Sequence, residues 1–109
     1  MKNYTIFFIS AAEDDLYDIF RHVAAYVSTE KAEETINGLE ERCQSLVFLA
    51  DRGHYPPELE RIGVYEYKEI HYEKYRIIYR IINNDVYIYT IIDGRRDLAS
   101  VLERKILRP

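Results

Sequence analysis

The chain has 109 residues, of which 48% are apolar and 31% charged, and this composition is typical of a folded globular protein. The length fits one domain over residues 1–109. Its only cysteine, Cys43, excludes a disulfide framework and a thiolate metal cluster, and a net charge of −4 argues against a protein that coats nucleic acid. We expect a cytoplasmic protein without a membrane partner, because neither a bilayer-spanning apolar run nor a signal peptide is recognisable.

The charges are unevenly distributed along the chain. Residues 1–54 carry 5 basic and 10 acidic side chains, whereas residues 74–109 carry 8 basic and 4 acidic ones. This asymmetry predicts an acidic face and a basic face. The asymmetry is compatible with two interpretations. Both faces can be merely solvated, or the basic face can bind a partner.

The first half of the chain predicts a strand followed by a helix. Residues 4–9 are β-branched and aromatic, which is typical of a strand. Ser10 and Glu13 have the spacing of a capping box, which predicts a helix of about 17 residues that ends near Ser28. The apolar positions of this helix recur at steps of three and four residues and are Leu16, Ile19, Phe20, Val23, Tyr26 and Val27.

A second helix is predicted from a cap at Thr29 to the stop signal at 51–53. Gly38 is a weak point in its interior. The two helices form a helical hairpin, for which Cys43 is expected to serve as a core residue and not as a nucleophile. The apolar stripe of the second helix consists of Ala32, Ile36, Leu39, Cys43, Leu46 and Ala50.

The second half predicts a loop, three strands and a short helix. The loop covers residues 51–63, and the strands cover 64–70, 75–82 and 86–92 with hairpin-sized gaps between them. Asp97 can cap a final helix. Its apolar positions are Leu98, Val101, Leu102 and Ile106. The predicted fold class is α+β, with the order β-α-α-β-β-β-α and a helical hairpin packed on an antiparallel meander.

The middle strand of the meander has two different faces. Tyr75, Ile77, Tyr79 and Ile81 share the face expected to meet the helices. Arg76 and Arg80 share the other face, and an unpaired arginine there is too costly to bury. Either this face is open and binds a partner, or each arginine is paired with a carboxylate such as Glu69 or Asp93. The sequence does not decide whether Glu69 pairs with Arg76 or with Arg80.

The three histidines show no spacing typical of metal ligands. His22 falls on a helix, His54 in a loop and His71 in a turn. We therefore expect surface or packing roles for them, and neither a metal nor a cofactor is predicted.

Several motifs together resemble one known family. They are the helical hairpin, the Pro-Pro-Glu-Leu segment at 56–59, YKEI at 67–70, YRIIYRI at 75–81 and VYIYTIIDGRRDL at 86–98. The combination is similar to the RelE/ParE superfamily of toxins from bacterial type II toxin–antitoxin systems, which are often described as plasmid stabilisation proteins. The Gly-Arg-Arg-Asp segment after the last strand resembles the ParE branch.

The resemblance implies two different activities. RelE-like members are ribosome-dependent mRNA endonucleases, and ParE-like members inhibit DNA gyrase without known hydrolytic chemistry. Both are neutralised by a cognate antitoxin that wraps the toxin with a helix and often an added strand. A third alternative is a non-toxic member that binds an antitoxin only.

The catalytic residues of RelE-type nucleases are only partly matched. Their lysine positions fall on Tyr67 and Glu69, and their C-terminal tyrosine falls at or near Leu102. Two arginine positions are retained by Arg76 and Arg96, which would be catalytic if the chain were a nuclease. The loss of an acid or base and the gain of a carboxylate favour the ParE-like alternative.

The resemblance and the charges together predict three binding surfaces. The target-binding set is Arg76, Arg80, Arg95 and Arg96. A second basic patch is formed by Arg104, Lys105 and Arg108, which could also simply stabilise a helix C-terminus. The antitoxin is expected to cover the helical hairpin around Tyr17 and Phe20.

Overall fold

The computed structural model describes residues 3–102, with the side chain of Leu102 outside the described part. The order of strands and long helices is the predicted one, with one added short helix before the meander. Among residues 3–102, no helix is long and apolar enough to cross a membrane. The elements are β1 (Thr5–Phe8), α1 (Ser10–Tyr26), α2 (Thr29–Gln44), α3 (Pro57–Glu60), β2 (Lys68–Tyr72), β3 (Tyr75–Ile82), β4 (Asp85–Asp93) and α4 (Leu98–Leu102).

The four strands form one sheet in the order β1-β4-β3-β2. β2, β3 and β4 form the predicted antiparallel meander, and β1 adds to it in parallel beside β4. β2 begins at Lys68 rather than at Val64, because the preceding residues belong to turns and irregular chain. The helical hairpin between β1 and the meander allows the parallel pairing, which needs a long crossover connection.

The helical hairpin packs on one face of this sheet, as predicted. Tyr75, Ile77 and Tyr79 of β3 are buried there, together with Leu39 and Cys43 of α2. Burial raises the pKa of the Cys43 thiol to about 12, with a smaller contribution from the charge of Glu40. Cys43 is therefore a packing residue, in agreement with the sequence.

The opposite face of the sheet, which carries Arg76 and Arg80, is covered. The alternative of an open face that binds a partner is therefore wrong. The short helices α3 and α4 cover this face and form a second apolar cluster around Ile78. α3 lies within residues 51–63, which the sequence predicts as a loop. The helix begins at Pro57 because the fixed φ angle of proline suits the first helical turn. The buried members of this cluster are Leu59, Tyr67, Ile78, Ile92, Leu98 and Val101.

A register shift in β4 lets this strand serve both clusters. Ile78 lies opposite Thr90 and Tyr79 lies opposite Ile88, so Tyr89 is an extra residue. Such a bulge reverses the alternation of side chains along a strand. Ile88 and Ile91 consequently both belong to the cluster under the helical hairpin.

The helix ends differ from the predicted ones. Ser10 is the first residue of α1, and the N-cap residue is Ile9, which makes no side-chain hydrogen bond to the helix. The capping box predicted for Ser10 and Glu13 is therefore wrong. Ser28 caps α2 instead of Thr29, since its Oγ accepts from the Lys31 amide at 3.0 Å. α2 ends at Gln44, where the Ser45 hydroxyl donates to a main-chain carbonyl, and 3₁₀ turns at 45–47 and 50–52 follow.

Two further contacts fix the helical hairpin on the sheet. The buried Asp15 carboxylate of α1 accepts from the Thr90 hydroxyl at 2.6 Å and from the Ile91 amide at 2.9 Å. Gly38, the weak point of α2, lies against the ring of Tyr72, and a methyl group at this position would overlap that ring. The glycine is therefore explained by a close approach between α2 and β2.

Candidate functional site

The guanidinium of Arg76 lies between two carboxylates on the face covered by α3 and α4. Arg76 is in β3, and its Nε and Nη2 donate to the two oxygens of Glu69 in β2 at 2.7 and 2.9 Å. Its Nη1 and Nη2 donate to the two oxygens of Glu58 in α3 at 2.7 and 2.8 Å. Both ion pairs are thus bidentate, the strongest arrangement of an arginine with carboxylates.

All three groups of this network are charged at neutral pH. The hydrogen bonds from Arg76 lower the pKa of Glu58 to about 2, although burial acts in the opposite direction. Burial raises the pKa of Glu69, but hydrogen bonds from Arg76 and His71 outweigh it, so the pKa lies below its usual range. Hydrogen bonds to Glu58 and Glu69 raise the pKa of Arg76. The network carries a net charge of −1.

The network decides between the alternatives left open by the sequence. Glu69 pairs with Arg76 and not with Arg80. Arg76 is only 8% exposed, and its guanidinium is occupied by carboxylates. The contact of Arg76 with a target, or with a phosphate in a nuclease, stays a prediction, and in this structure it would require release of Glu58 and Glu69.

Glu58 is the partner that sequence reasoning missed. The sequence predicts a loop at Glu58, whereas in the structure Glu58 lies in α3. Its carboxylate binds Arg76 and also accepts from the Leu98 amide at the start of α4 at 3.3 Å. This bond supplies a cap to α4 at Leu98, although Asp97 was predicted as the capping residue. The Pro-Pro-Glu sequence at 56–58 is a helix-start signal that could have revealed the position of Glu58.

Two histidines join Glu69 at the edge of the network. His54 forms an isolated antiparallel bridge with Glu69, and His71 follows Glu69 by two residues in β2. The His71 Nε2 lies 2.6 Å from Glu69 Oε2, and the His54 Nε2 lies 3.8 Å from Glu69 Oε1. The sequence did not predict this grouping, because the relevant proximity is across the sheet and not along the chain.

The network and the two histidines line a surface cavity of about 310 Å³. Both imidazole side chains are more than half exposed, at 57% for His54 and 53% for His71, whereas the Glu69 side chain at the bottom is 2% exposed. The cavity therefore places two exposed imidazole side chains above an ionised, oriented carboxylate.

The remaining predicted arginines lie away from this cavity. Arg95 and Arg96 are exposed in the turn after β4, and Arg80 is half-buried. The Arg95 guanidinium is bound to Asp93 at 3.1 Å. Within residues 3–101, the Arg96 and Arg80 side chains have no ion pair. Arg95 and Arg96 border a cavity of about 850 Å³ between α1 and the end of β4, where Asp18 and Asp93 offset their charge.

The predicted antitoxin contacts lie on α1. Tyr17 is 62% exposed, with the Arg21 guanidinium 5.3 Å from its ring centre, and Phe20 is half-buried. The second basic patch of Arg104, Lys105 and Arg108, as well as Ile106, lies outside the described residues. The same holds for the side chain of Leu102.

Comparison with known proteins decides the family. The family model described as "ParE toxin of type II toxin-antitoxin system, parDE" matches residues 6–98. The chain belongs to the ParE toxin family. The resemblance inferred from the sequence motifs is thereby confirmed, while the target of the toxin is not addressed by the match. No curated protein sequence matches the chain.

Solved structures share the fold of this ParE-family chain. A structure of the chromosomal ParDE toxin–antitoxin system from P. aeruginosa has a TM-score of 0.70 at 20% identity, with 83% of this chain and 95% of that chain covered. A structure of the toxin–antitoxin complex RelBE2 from Mycobacterium tuberculosis has a TM-score of 0.57 at 21% identity, with 85% and 93% covered. At these identities, the likeness confirms the predicted α+β fold.

Proposed function

We propose that this ParE-family toxin inhibits growth by binding DNA gyrase in the cytoplasm, without hydrolytic chemistry of its own, and that a cognate antitoxin neutralises it. The observation that carries the choice of target is the Arg76 network. The network occupies the strand positions at which the resemblance to RelE-type nucleases implied catalytic cations.

Phosphate recognition needs accessible cations, and the network offers none. The guanidinium of Arg76 is bidentate to both Glu58 and Glu69, so a phosphate would have to displace two carboxylates. Glu69 adds a negative charge at a position where RelE-type nucleases carry a lysine. An RNA backbone is repelled by such a charge, which supports a protein target over ribosomal mRNA.

The proposed gyrase contacts are the arginines that remain accessible. Arg96 is the first choice because it is exposed and its side chain has no ion pair within residues 3–101. Arg95 is exposed but held by Asp93, and Arg80 is half-buried. Exposed charges of this kind steer association and set the rate of encounter with an acidic partner surface.

The proposed antitoxin contact surface is the exposed side of α1. The neighbouring structures are titled as a ParDE system and a RelBE2 toxin–antitoxin complex, which supports an antitoxin as partner of this chain. Tyr17 and Phe20 lie on α1, and Tyr26 and Val27 at its C-terminal end are 78% and 69% exposed. An amphipathic antitoxin helix would bury these apolar groups.

The antitoxin surface is tested by co-expression of the toxin with its cognate antitoxin. We expect Tyr17→Asp to weaken the isolated complex at least tenfold, because it places a charge in an apolar contact. Tyr65→Asp is the matched control, since Tyr65 is 55% exposed and lies before β2. Equal affinities of both variants would contradict the assignment.

The target is tested by expressing the toxin without its antitoxin. We expect loss of negative supercoiling in a reporter plasmid and induction of the DNA-damage response, with reporter mRNA intact by primer extension. Cleavage of translated mRNA within codons would instead support a RelE-like endonuclease. Normal growth with abundant folded toxin would support a non-toxic member of the family.

A further inference from the structure

We propose that His54, His71 and Glu69 form a binding site for a divalent transition-metal ion such as Zn²⁺. This inference is independent of the proposed gyrase target. One ligand atom from each residue lies within 4.8 Å of the other two, and this is the one such group of three potential ligands found within the described part of the chain.

The backbone holds the three residues together. His54 and Glu69 exchange two main-chain hydrogen bonds, from His54 N to Glu69 O at 3.1 Å and from Glu69 N to His54 O at 2.7 Å. Residues directly opposite in an antiparallel pair project to the same face, and so does a residue two positions further along a strand. His54, Glu69 and His71 therefore share one face, independently of their rotamers.

The donor set suits a transition metal. Two imidazole nitrogens and one carboxylate are a common three-residue ligand set for zinc, which leaves a fourth position for water. Zinc binds such atoms at about 2.0–2.2 Å, so the ligand atoms should be about 3.3–3.5 Å apart. The distance to the nearest Glu69 oxygen is 2.6 Å from His71 Nε2 and 3.8 Å from His54 Nε2, and these two values bracket the expected one. Both exposed rings can adjust by rotation.

Glu69 retains the capacity to bind a metal while it binds Arg76. A carboxylate offers about four lone-pair sites, and Arg76 uses one on each oxygen. The second site on Oε2 accepts a hydrogen bond from His71 Nε2 at 2.6 Å, and a metal ion would take the place of the proton in this bond. The second site on Oε1 lies towards His54, whose Nε2 is 3.8 Å away. Arg76 fixes the orientation of Glu69 and is itself held by Glu58. Orienting a ligating carboxylate is the usual role of a group that hydrogen-bonds to it.

The charge of the cavity favours a cation over a phosphate. Glu58, Glu69 and Glu73 line it together with Lys74 and Arg76, which gives a net charge of −1 with neutral imidazoles. Binding of a divalent metal would reverse this sign and bind the 53–55 segment more tightly to the edge strand β2. The expected physical consequence is a more stable folded state in the presence of metal.

The experiment is calorimetric titration of Zn²⁺ into the full-length toxin, freed of its affinity tag and of prior metal by chelation. We expect one equivalent to bind and the melting temperature to rise. His54→Ala and His71→Ala should each weaken binding at least tenfold, as loss of one of three ligands does. His22→Ala is the matched control, because His22 is exposed on α1 outside the cluster and should leave the affinity unchanged.

A spectroscopic readout distinguishes the site from surface adsorption. Co²⁺ bound to the wild type should give the visible absorption of a four-coordinate site, and this band should be absent from His71→Gln, which preserves side-chain size and polarity. The proposal is overturned if the wild type shows no saturable Zn²⁺ binding. The proposal is also overturned if His22→Ala loses as much Zn²⁺ affinity as His54→Ala and His71→Ala do. Tighter binding of inorganic phosphate than of Zn²⁺ at the cavity would overturn it as well.

Discussion

Replacement of Arg76 by methionine should destabilise the toxin strongly at neutral pH. The substitution keeps most of the side-chain volume but removes four hydrogen bonds to Glu58 and Glu69. Glu69 is 2% exposed, and it would remain as a buried carboxylate that retains His71 as its nearby partner. Breaking a buried ion pair on one side costs about 3–5 kcal/mol.

The pKa of Glu58 gives an independent magnitude. A pKa lowered from 4.5 to about 2 corresponds to at most about 3 kcal/mol of stability at pH 7, most of it from Arg76 and a smaller part from the Glu58 and Leu98 amides. Because the folded-state pKa is the lower one, this contribution is complete well above 4.5 and is lost as the pH falls from 4.5 towards 2. At pH 3.5 it is reduced to about 2 kcal/mol. The cost of Arg76→Met should therefore shrink in acid.

The assay is urea unfolding followed by circular dichroism, at pH 7 and pH 3.5, with a chelator present. Arg80→Met is the matched control from the same strand and should cost less than about 1 kcal/mol, since Arg80 is half-buried and has no ion pair within residues 3–101. Adding Glu58→Gln and Glu69→Gln to Arg76→Met should recover most of the loss. A cost below about 1 kcal/mol at pH 7, or one that does not depend on pH, would refute the reasoning.

Two substitutions and one labelling experiment probe the packing of the fold. Gly53→Ala should lower the free energy of unfolding by about 1–3 kcal/mol, because the added methyl overlaps the Tyr79 hydroxyl; an unchanged urea midpoint would contradict this. Asp15→Asn should cost about 1–3 kcal/mol, since it weakens the buried bonds to Thr90 and the β4 main chain, and a neutral effect in the same assay would argue against that anchor. Cys43, with its pKa of about 12, should react with a thiol reagent only after unfolding, so rapid labelling of the native toxin would show that it is accessible.

The elements with strong local patterns could be predicted from the sequence. The apolar stripe of α2 and the alternation in β3 identified the packed faces correctly, because side-chain periodicity directly reflects which face is buried. The α1 stripe was correct for Leu16, Ile19 and Val23 but wrong for Tyr26 and Val27, which are exposed at the end of the helix. The parallel pairing of β1 with β4 could not be predicted from side-chain periodicity. It depends on pairing between distant segments, for which neither strand carries a local signal.

The candidate site was only partly predictable for the same reason. The sequence identified Glu69 as a possible partner of Arg76, because they fall on adjacent predicted strands. Glu58 was missed since α3 is a single turn, and His54 was missed since its bridge to Glu69 joins a loop to the edge strand β2. Short elements held by tertiary contacts leave little periodicity in a sequence.

The most direct test of the proposed target is a supercoiling assay with purified DNA gyrase, relaxed plasmid and ATP, to which the antitoxin-free toxin is added. We predict that the toxin suppresses supercoiling in a concentration-dependent manner. A variant with Arg95→Glu and Arg96→Glu should need at least tenfold more protein for the same effect. Complete supercoiling in the presence of a large excess of folded wild-type toxin would contradict gyrase as the target.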